Sequence, residues 1–348
     1  MTRRLLAAVV VAAVALSACA KATFNARPAD IYAAGPSEAD VRTLLGDSNW
    51  WAGPPSFDVP PLDAATRPLN ERYSVSREFL RLGTDEQLAI RYTVFDKASS
   101  ATALMTDLRN ALGASPSTPK VGDDVLYYGA AGSGGAPYVT RTFVRLGQIV
   151  VTIVWTRKDP AVSVQQLGKN AAKVVDGLKK VVAGKVRASP QPVATMELPP
   201  PGRDITLLGA TRLSIDAWVV MTRTGLLGTI LDLMQKGGLT DFAYGDYALN
   251  NDTHMEVQTA LLKFPTPADA TGWVSFFSST EPDQYGIVSS YIPLGGTPAA
   301  GEYHYYFAEG VYGGMLICKP TQDGEAASRE CENPLEATAV AWKLALRS

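Results

Sequence analysis

Two hydrophobic periods alternate along this chain. Tyr73 to Leu82 and Leu88 to Phe95 read as strands, with Gly83-Thr84-Asp85-Glu86 turning one into the other. Ser99 to Leu112 changes to helical spacing: Ala101, Leu104, Met105, Leu108 and Leu112 share one side, and Gly113 stops the run. Strands return at Val125 to Tyr128, Tyr138 to Leu146 and Ile149 to Trp155, the last two joined by the tight turn Gly147-Gln148. Ser163 to Val182 then predicts a long amphipathic helix with Leu167, Ala171, Val174, Val175 and Leu178 on one side. Upstream, Ser37-Glu38-Ala39-Asp40 has the form of a helix start, an N-cap with an acid three residues on, and Val41, Leu44 and Leu45 carry its stripe to Gly46. Between that helix and Tyr73, Trp50-Trp51 leads into a connection holding Pro54, Pro55, Pro60, Pro61 and Pro68, expected to be irregular. In Ile149 to Trp155 both alternating sets are largely apolar, so both faces should be covered, one by helices and the other by a further layer such as the second domain.

The same order recurs downstream. Leu226 to Met234 reads as a helix, Phe242 to Leu249 and Met255 to Phe264 as a hairpin across Asn250-Asn251-Asp252, and Ala268 to Phe277 as a helix. Ile287 to Ile292, Tyr303 to Phe307 and Val311 to Ile317 follow as strands, and Leu335 to Leu346 closes the chain as a helix. Phe95-Asp96-Lys97-Ala98-Ser99-Ser100-Ala101 parallels Phe264-Pro265-Thr266-Pro267-Ala268-Asp269-Ala270: each ends a strand on Phe and opens a polar-capped helix. Two long copies indicate a duplicated domain rather than a solenoid. Pro190, Pro192, Pro199, Pro200 and Pro201 mark a semi-rigid linker between them. The expected layout is residues 37–183 as a first α+β domain, 184–202 as linker and 203–348 as a second α+β domain. Each domain is an antiparallel sheet packed with helices.

The N-terminus has a different character. Arg3 and Arg4 precede an uninterrupted apolar run from Leu5 to Leu16. That is shorter than the roughly 20 residues a membrane span needs and suits the core of a signal peptide. The run ends on Leu16-Ser17-Ala18-Cys19, which resembles the lipobox of bacterial lipoproteins. The resemblance implies cleavage after residue 18, a thioether-linked diacylglycerol on Cys19 and an acylated new N-terminus. Two or more acyl chains anchor stably, where one binds only marginally. Residues 19–36 read as a period-free tether, and the protein is expected at the extracytoplasmic face of the cell membrane, held by its lipid.

Composition adds little that is specific. Net charge is −2, and loss of Arg3 and Arg4 with the leader makes it −4, without any strongly basic stretch. Nucleic acid is therefore excluded as a partner. After Cys19 the remaining cysteines are Cys318 and Cys331, a close pair that an oxidising compartment would bridge.

The order of elements behind a lipobox, ending on an apolar strand and a long helix, resembles the actinobacterial cell-envelope lipoproteins with a PsbP-like domain, here in two tandem copies. The resemblance implies antiparallel sheets with packed helices and a role in binding or envelope maintenance. It brings no catalytic residue to carry over.

The chain carries few motifs with a chemistry of their own. The two histidines, His254 and His304, lie outside any metal-ligand spacing. Ser133 sits in Gly132-Ser133-Gly134-Gly135 without the following helix that a nucleophile elbow requires. No phosphate-cradling glycine motif is present, and no cofactor or metal is expected. Two aromatic stretches stand out. Trp50 and Trp51 cannot share one side of a strand, so one is expected in the core and the other at a contact surface. In Tyr303-His304-Tyr305-Tyr306-Phe307, alternation separates Tyr303, Tyr305 and Phe307 from His304 and Tyr306. The expected binding residues are thus His304, Tyr305, Tyr306, Trp50 and Trp51, with His304 and Tyr306 reaching into a cleft. The expected function is a non-catalytic binding module for an envelope lipid, a glycolipid or a protein partner. The alternatives are an envelope hydrolase using His304 or Ser133, and a structural or regulatory partner of a membrane protein complex.

Overall fold

A computed structural model describes residues 26–58, 70–81, 83–84, 86–113, 119–130, 137–158, 162–186, 193–222, 227–252, 255–277, 281–293, 301–320 and 329–347. The first half contains helices α1 (Pro28–Ala34) and α2 (Glu38–Leu45) and strands β1 (Trp50–Asp58), β2 (Glu71–Arg81) and β3 (Gln87–Phe95). Helix α3 (Ala98–Leu112), strands β4 (Asp124–Ala130), β5 (Tyr138–Leu146) and β6 (Ile149–Arg157) and helix α4 (Val164–Val182) complete it. The second half opens with β7 (Ile205–Ser214), α5 (Ile215–Met221) and α6 (Leu227–Lys236), then β8 (Asp241–Leu249), β9 (Met255–Lys263) and α7 (Pro267–Phe277). It ends with β10 (Ile287–Pro293), β11 (Gly301–Glu309), β12 (Tyr312–Pro320) and α8 (Glu332–Ala345).

Each half is a six-stranded antiparallel sheet, and the strand orders match: β1-β2-β3-β6-β5-β4 and β7-β8-β9-β12-β11-β10. The duplicated α+β architecture follows directly. It extends to single residues. Phe95 N–H donates to Gln148 O at 2.9 Å and Phe264 N–H to Val311 O at 2.8 Å, so each strand-ending phenylalanine is tied to the turn of the neighbouring hairpin. Both first strands carry an irregularity, between Ala52 and Pro55 and between Leu207 and Gly209.

Helices cover both faces of each sheet. In the first, α4 packs on Ile149, Val151, Ile153 and Trp155, while α3 covers Val150, Phe143 and Leu126 on the other side. The second face of β6 is covered only at that end, since Thr152 and Val154 stay half-buried; the second domain does not lie on it. In the second sheet, Leu335, Ala339 and Trp342 of α8 pack on Phe307 and Leu316. The opposite face, with Tyr306, Met315 and Ile317, is filled by Trp273 of α7 and Trp218 of α5.

Four elements depart from the sequence reading. The tether contains α1, whose Ile31 and Ala34 are buried against α4; a Cβ on Gly177 would lie only 1.9 Å from Ala34 O. Seven residues with two apolar anchors carry too little periodicity to announce this. The connection after Trp50-Trp51 begins with β1, a nine-residue strand. Prolines are tolerated there because β1 is an edge strand and the chain is irregular between Ala52 and Pro55. The equivalent edge strand β7 and the short helix α5 were not expected either. Beyond the linker's prolines, Val193 packs on the second core and Glu197 forms a two-pronged ion pair with Arg212 at 2.6 and 2.7 Å.

These unexpected elements build the contact between the domains. Trp50 enters the first core, edge-on to Trp155 at 6.3 Å, while Trp51 packs against the second. The pair does straddle the strand, but its second member meets the other domain instead of solvent. Gly53 lets β1 close on α5, where a Cβ would be 2.9 Å from Val220 Cγ1.

Candidate functional site

Strand β11 supplies the predicted site residues, and alternation along it decides their fates. Glu302, His304 and Tyr306 point into the α7 side of the sheet, where their exposures are 3%, 0% and 1%. His304 Nε2 lies 3.0 Å from Glu302 Oε2, and its Nδ1 lies 2.9 Å from the Tyr306 hydroxyl. Tyr306 stacks on Phe277 at 5.5 Å and meets Trp273 edge-on at 5.8 Å. Burial pushes its phenol well above the usual range. The expected cleft with His304 and Tyr306 reaching into it is therefore not formed. Adjacent aromatics on β11 satisfy their polar tips along the strand, and α7 seals them. His304 is thus buried with both ring nitrogens engaged by residues of its own strand.

The opposite face of β11 opens to solvent only at its Tyr303 end, Tyr305 being 5% exposed and Phe307 fully buried. Tyr303 and Tyr305, with Tyr291 of β10, border a groove of about 390 Å³ between the sheet edge and the start of α8. Tyr291 and Tyr303 lie 5.0 Å apart between ring centres. The remaining wall carries Glu281, Asp283, Glu332 and Glu336. Among the described residues of this lining there is no lysine or arginine. Tyr305 is held in place by donating to Glu332 O at 3.2 Å. Burial first, then the charges of Glu332 and Glu336, push its phenol up to about 12. Asp283 is fixed by the Tyr285 and Ile287 N–H groups, both at 2.8 Å. The Cys318–Cys331 disulfide, with Cα atoms 6.2 Å apart, pins the end of β12 to the residue preceding α8 and so fixes the acidic wall.

Of the expected residues, Tyr305 is the one this groove uses. The four carboxylates had no sequence signal beyond the i, i+4 spacing of Glu332 and Glu336; residues 281–283 join them only through the fold.

Trp50 borders a second cleft of about 410 Å³ in the first domain, with Trp155, Arg81, Glu86, Arg157 and Gln166. Its charges are spent on one another. Glu86 accepts from Trp155 Nε1 at 2.8 Å and Arg81 Nη1 at 2.9 Å, and Arg81 also pairs with Asp47 at 2.6 Å. Arg157 lies over Trp155 at 5.7 Å and 3.6 Å from Glu86. The network braces the end of this sheet. Cys19, Ser133 and His254 lie outside the described residues. Among the described residues, no helix is long and apolar enough to cross a membrane.

No family model and no curated protein matches this chain. Among solved structures, the extracellular domain of PknH from Mycobacterium tuberculosis aligns at 15% identity over 43% of this chain and 94% of that one, with a TM-score of 0.32. At that level it assigns this chain neither a fold nor a ligand.

Proposed function

We propose that this chain is an extracytoplasmic, non-catalytic binding module, lipid-anchored to the cell membrane through Cys19, and that the groove on its second domain captures a cationic, partly apolar group carried by an envelope lipid, glycolipid or protein partner. One observation carries the reading: three tyrosines and four carboxylates border one groove whose described lining has no basic residue. Carboxylates attract a cation and tyrosine rings accept it over their faces, an interaction worth about 0.5–2 kcal/mol per ring. The lipobox and the order of elements support membership among the PsbP-like lipoproteins of actinobacterial envelopes.

The test uses a lysine-rich peptide and its fully acetylated counterpart as probes in calorimetry of the mature protein. The lysine form should bind, with affinity falling as salt rises. Glu332→Gln with Glu336→Gln should weaken it about fivefold, at about 0.5 kcal/mol per exposed pair, and leave the melting temperature nearly unchanged. Equal binding of both peptides, or no effect of the double variant, refutes the reading. Native mass spectrometry of the detergent-extracted protein then distinguishes a retained lipid or glycolipid from a protein partner.

A further inference from the structure

Where β1 meets the second sheet, its outer edge would otherwise present unpaired backbone groups. Three contacts cover it, two of them to its backbone groups. Phe57 N–H donates to Asp246 Oδ2 at 2.5 Å, the Ser56 hydroxyl donates to Glu256 Oε2 at 2.8 Å, and the Tyr244 hydroxyl donates to Pro55 O at 2.6 Å. Each runs between the domains. Asp246 and Glu256 come from neighbouring strands β8 and β9, with 0% and 6% exposure. Asp246 pairs across the strands with Gln258, so Glu256 is its diagonal neighbour on the same sheet face.

The charges around this pair do not balance. Lys319 of β12 stands 3.9 Å from Glu256 Oε1, and Gln258 donates to that same oxygen at 2.6 Å. From β8, Tyr244 and Tyr247 add further groups that would become negative on ionising. From the first domain the facing phenol is Tyr32 of α1, whose ring lies under Arg77, a cation 5.0 Å from its centre. Further along the same sheet face come Glu302 and His304 of β11, which engage each other. On α5, Asp216 feels Arg42 instead. Among the described residues, one ammonium, that of Lys319, thus stands by two buried carboxyls. Asp246 Oδ1 finds no donor among these groups. A proton on Asp246 would satisfy that oxygen and remove one of the two negative charges.

We infer that Asp246, set beside Glu256, forms a proton-dependent clasp between the two domains, closed while Asp246 holds a proton and loosened as pH rises. Desolvation and the neighbouring Glu256 both raise the Asp246 carboxyl well above its ordinary range. A raised group in the closed state stabilises that state fully below its ordinary pKa. The contribution is lost as pH climbs toward the raised value. Opening releases the proton, so the domain contact weakens with increasing pH.

The amide of Phe57 reports the clasp directly. In hydrogen exchange on the mature protein, its opening constant, corrected for intrinsic exchange, should rise with pH above the ordinary carboxylate range, by at most about tenfold per pH unit because one proton is released. An amide of the central strand β3 should show no such slope. Asp246→Asn keeps an acceptor for Phe57 but cannot ionise; its slope should vanish and its protection at pH 7 should exceed wild type. If that variant does not fold, Glu256→Gln, which removes the second cause and leaves the burial, should reduce the slope in its place. A wild-type Phe57 protection that does not change with pH overturns the clasp without any variant. So does a slope that survives in a folded Asp246→Asn protein, or one that is undiminished in Glu256→Gln.

Discussion

Removing the disulfide tests whether the second domain and its groove depend on one cross-link. Cys318 and Cys331 are both fully buried and lie 13 positions apart in sequence. Closing a loop of that size removes chain entropy from the unfolded state worth about 3 kcal/mol. The double substitution Cys318→Ala with Cys331→Ala avoids a stray thiol and also deletes two buried sulfur atoms, so the total loss should fall at about 3–5 kcal/mol. The effect should be regional. Strand β12 carries Cys318 and packs under Trp342, which is itself fully buried against Phe307 at 5.5 Å. Hydrogen exchange across a urea series reads each domain by itself, which a single melting curve of a two-domain chain does not. Protection in β12 should drop by the stated amount while β3 in the first sheet keeps its own. Freed from its tie, the first turn of α8 should fray, the hydrogen bond from Tyr305 to Glu332 O should weaken, and cationic probes should bind the groove less well. A loss below about 1 kcal/mol in β12, or the same loss in both sheets, would refute this reasoning.

Two further outcomes follow from named positions. Cys19→Ala should leave unlipidated precursor or shed protein in a membrane fractionation; membrane-bound protein at wild-type level and mature mass would exclude the lipobox reading. Gly53→Ala places a methyl 2.9 Å from Val220 Cγ1 and 3.4 Å from Glu78 O. Because a valine side chain is stiff, the domain contact should lose about 1–3 kcal/mol, seen by calorimetry as a lower melting temperature; an unchanged transition would show that β1 and α5 are not tightly apposed.

Elements with a long, clean period were legible from the chain alone. The alternation of Leu88 to Phe95, the stripe of Leu167 to Leu178 and the parallel between Phe95 and Phe264 carry local information that survives into the fold, because each depends on which face of one element is apolar. The pairing of Cys318 with Cys331 was legible for a similar reason, two thiols close in sequence. What tertiary structure decided is whatever depends on which element lies opposite. Pro54 and Pro55 look like a loop until β1 is known to be an edge strand, where a missing N–H costs no ladder bond. Trp51 looks like a surface residue until the second domain covers it. His304 and Tyr305 are neighbours of similar polarity, yet one is sealed under α7 and the other borders a groove, since the sheet has two faces and sequence alternation does not say which face a helix closes. Asp246 and Glu256 are unremarked acids in the sequence; only the docking of β1 takes them out of water and makes their shared charge costly.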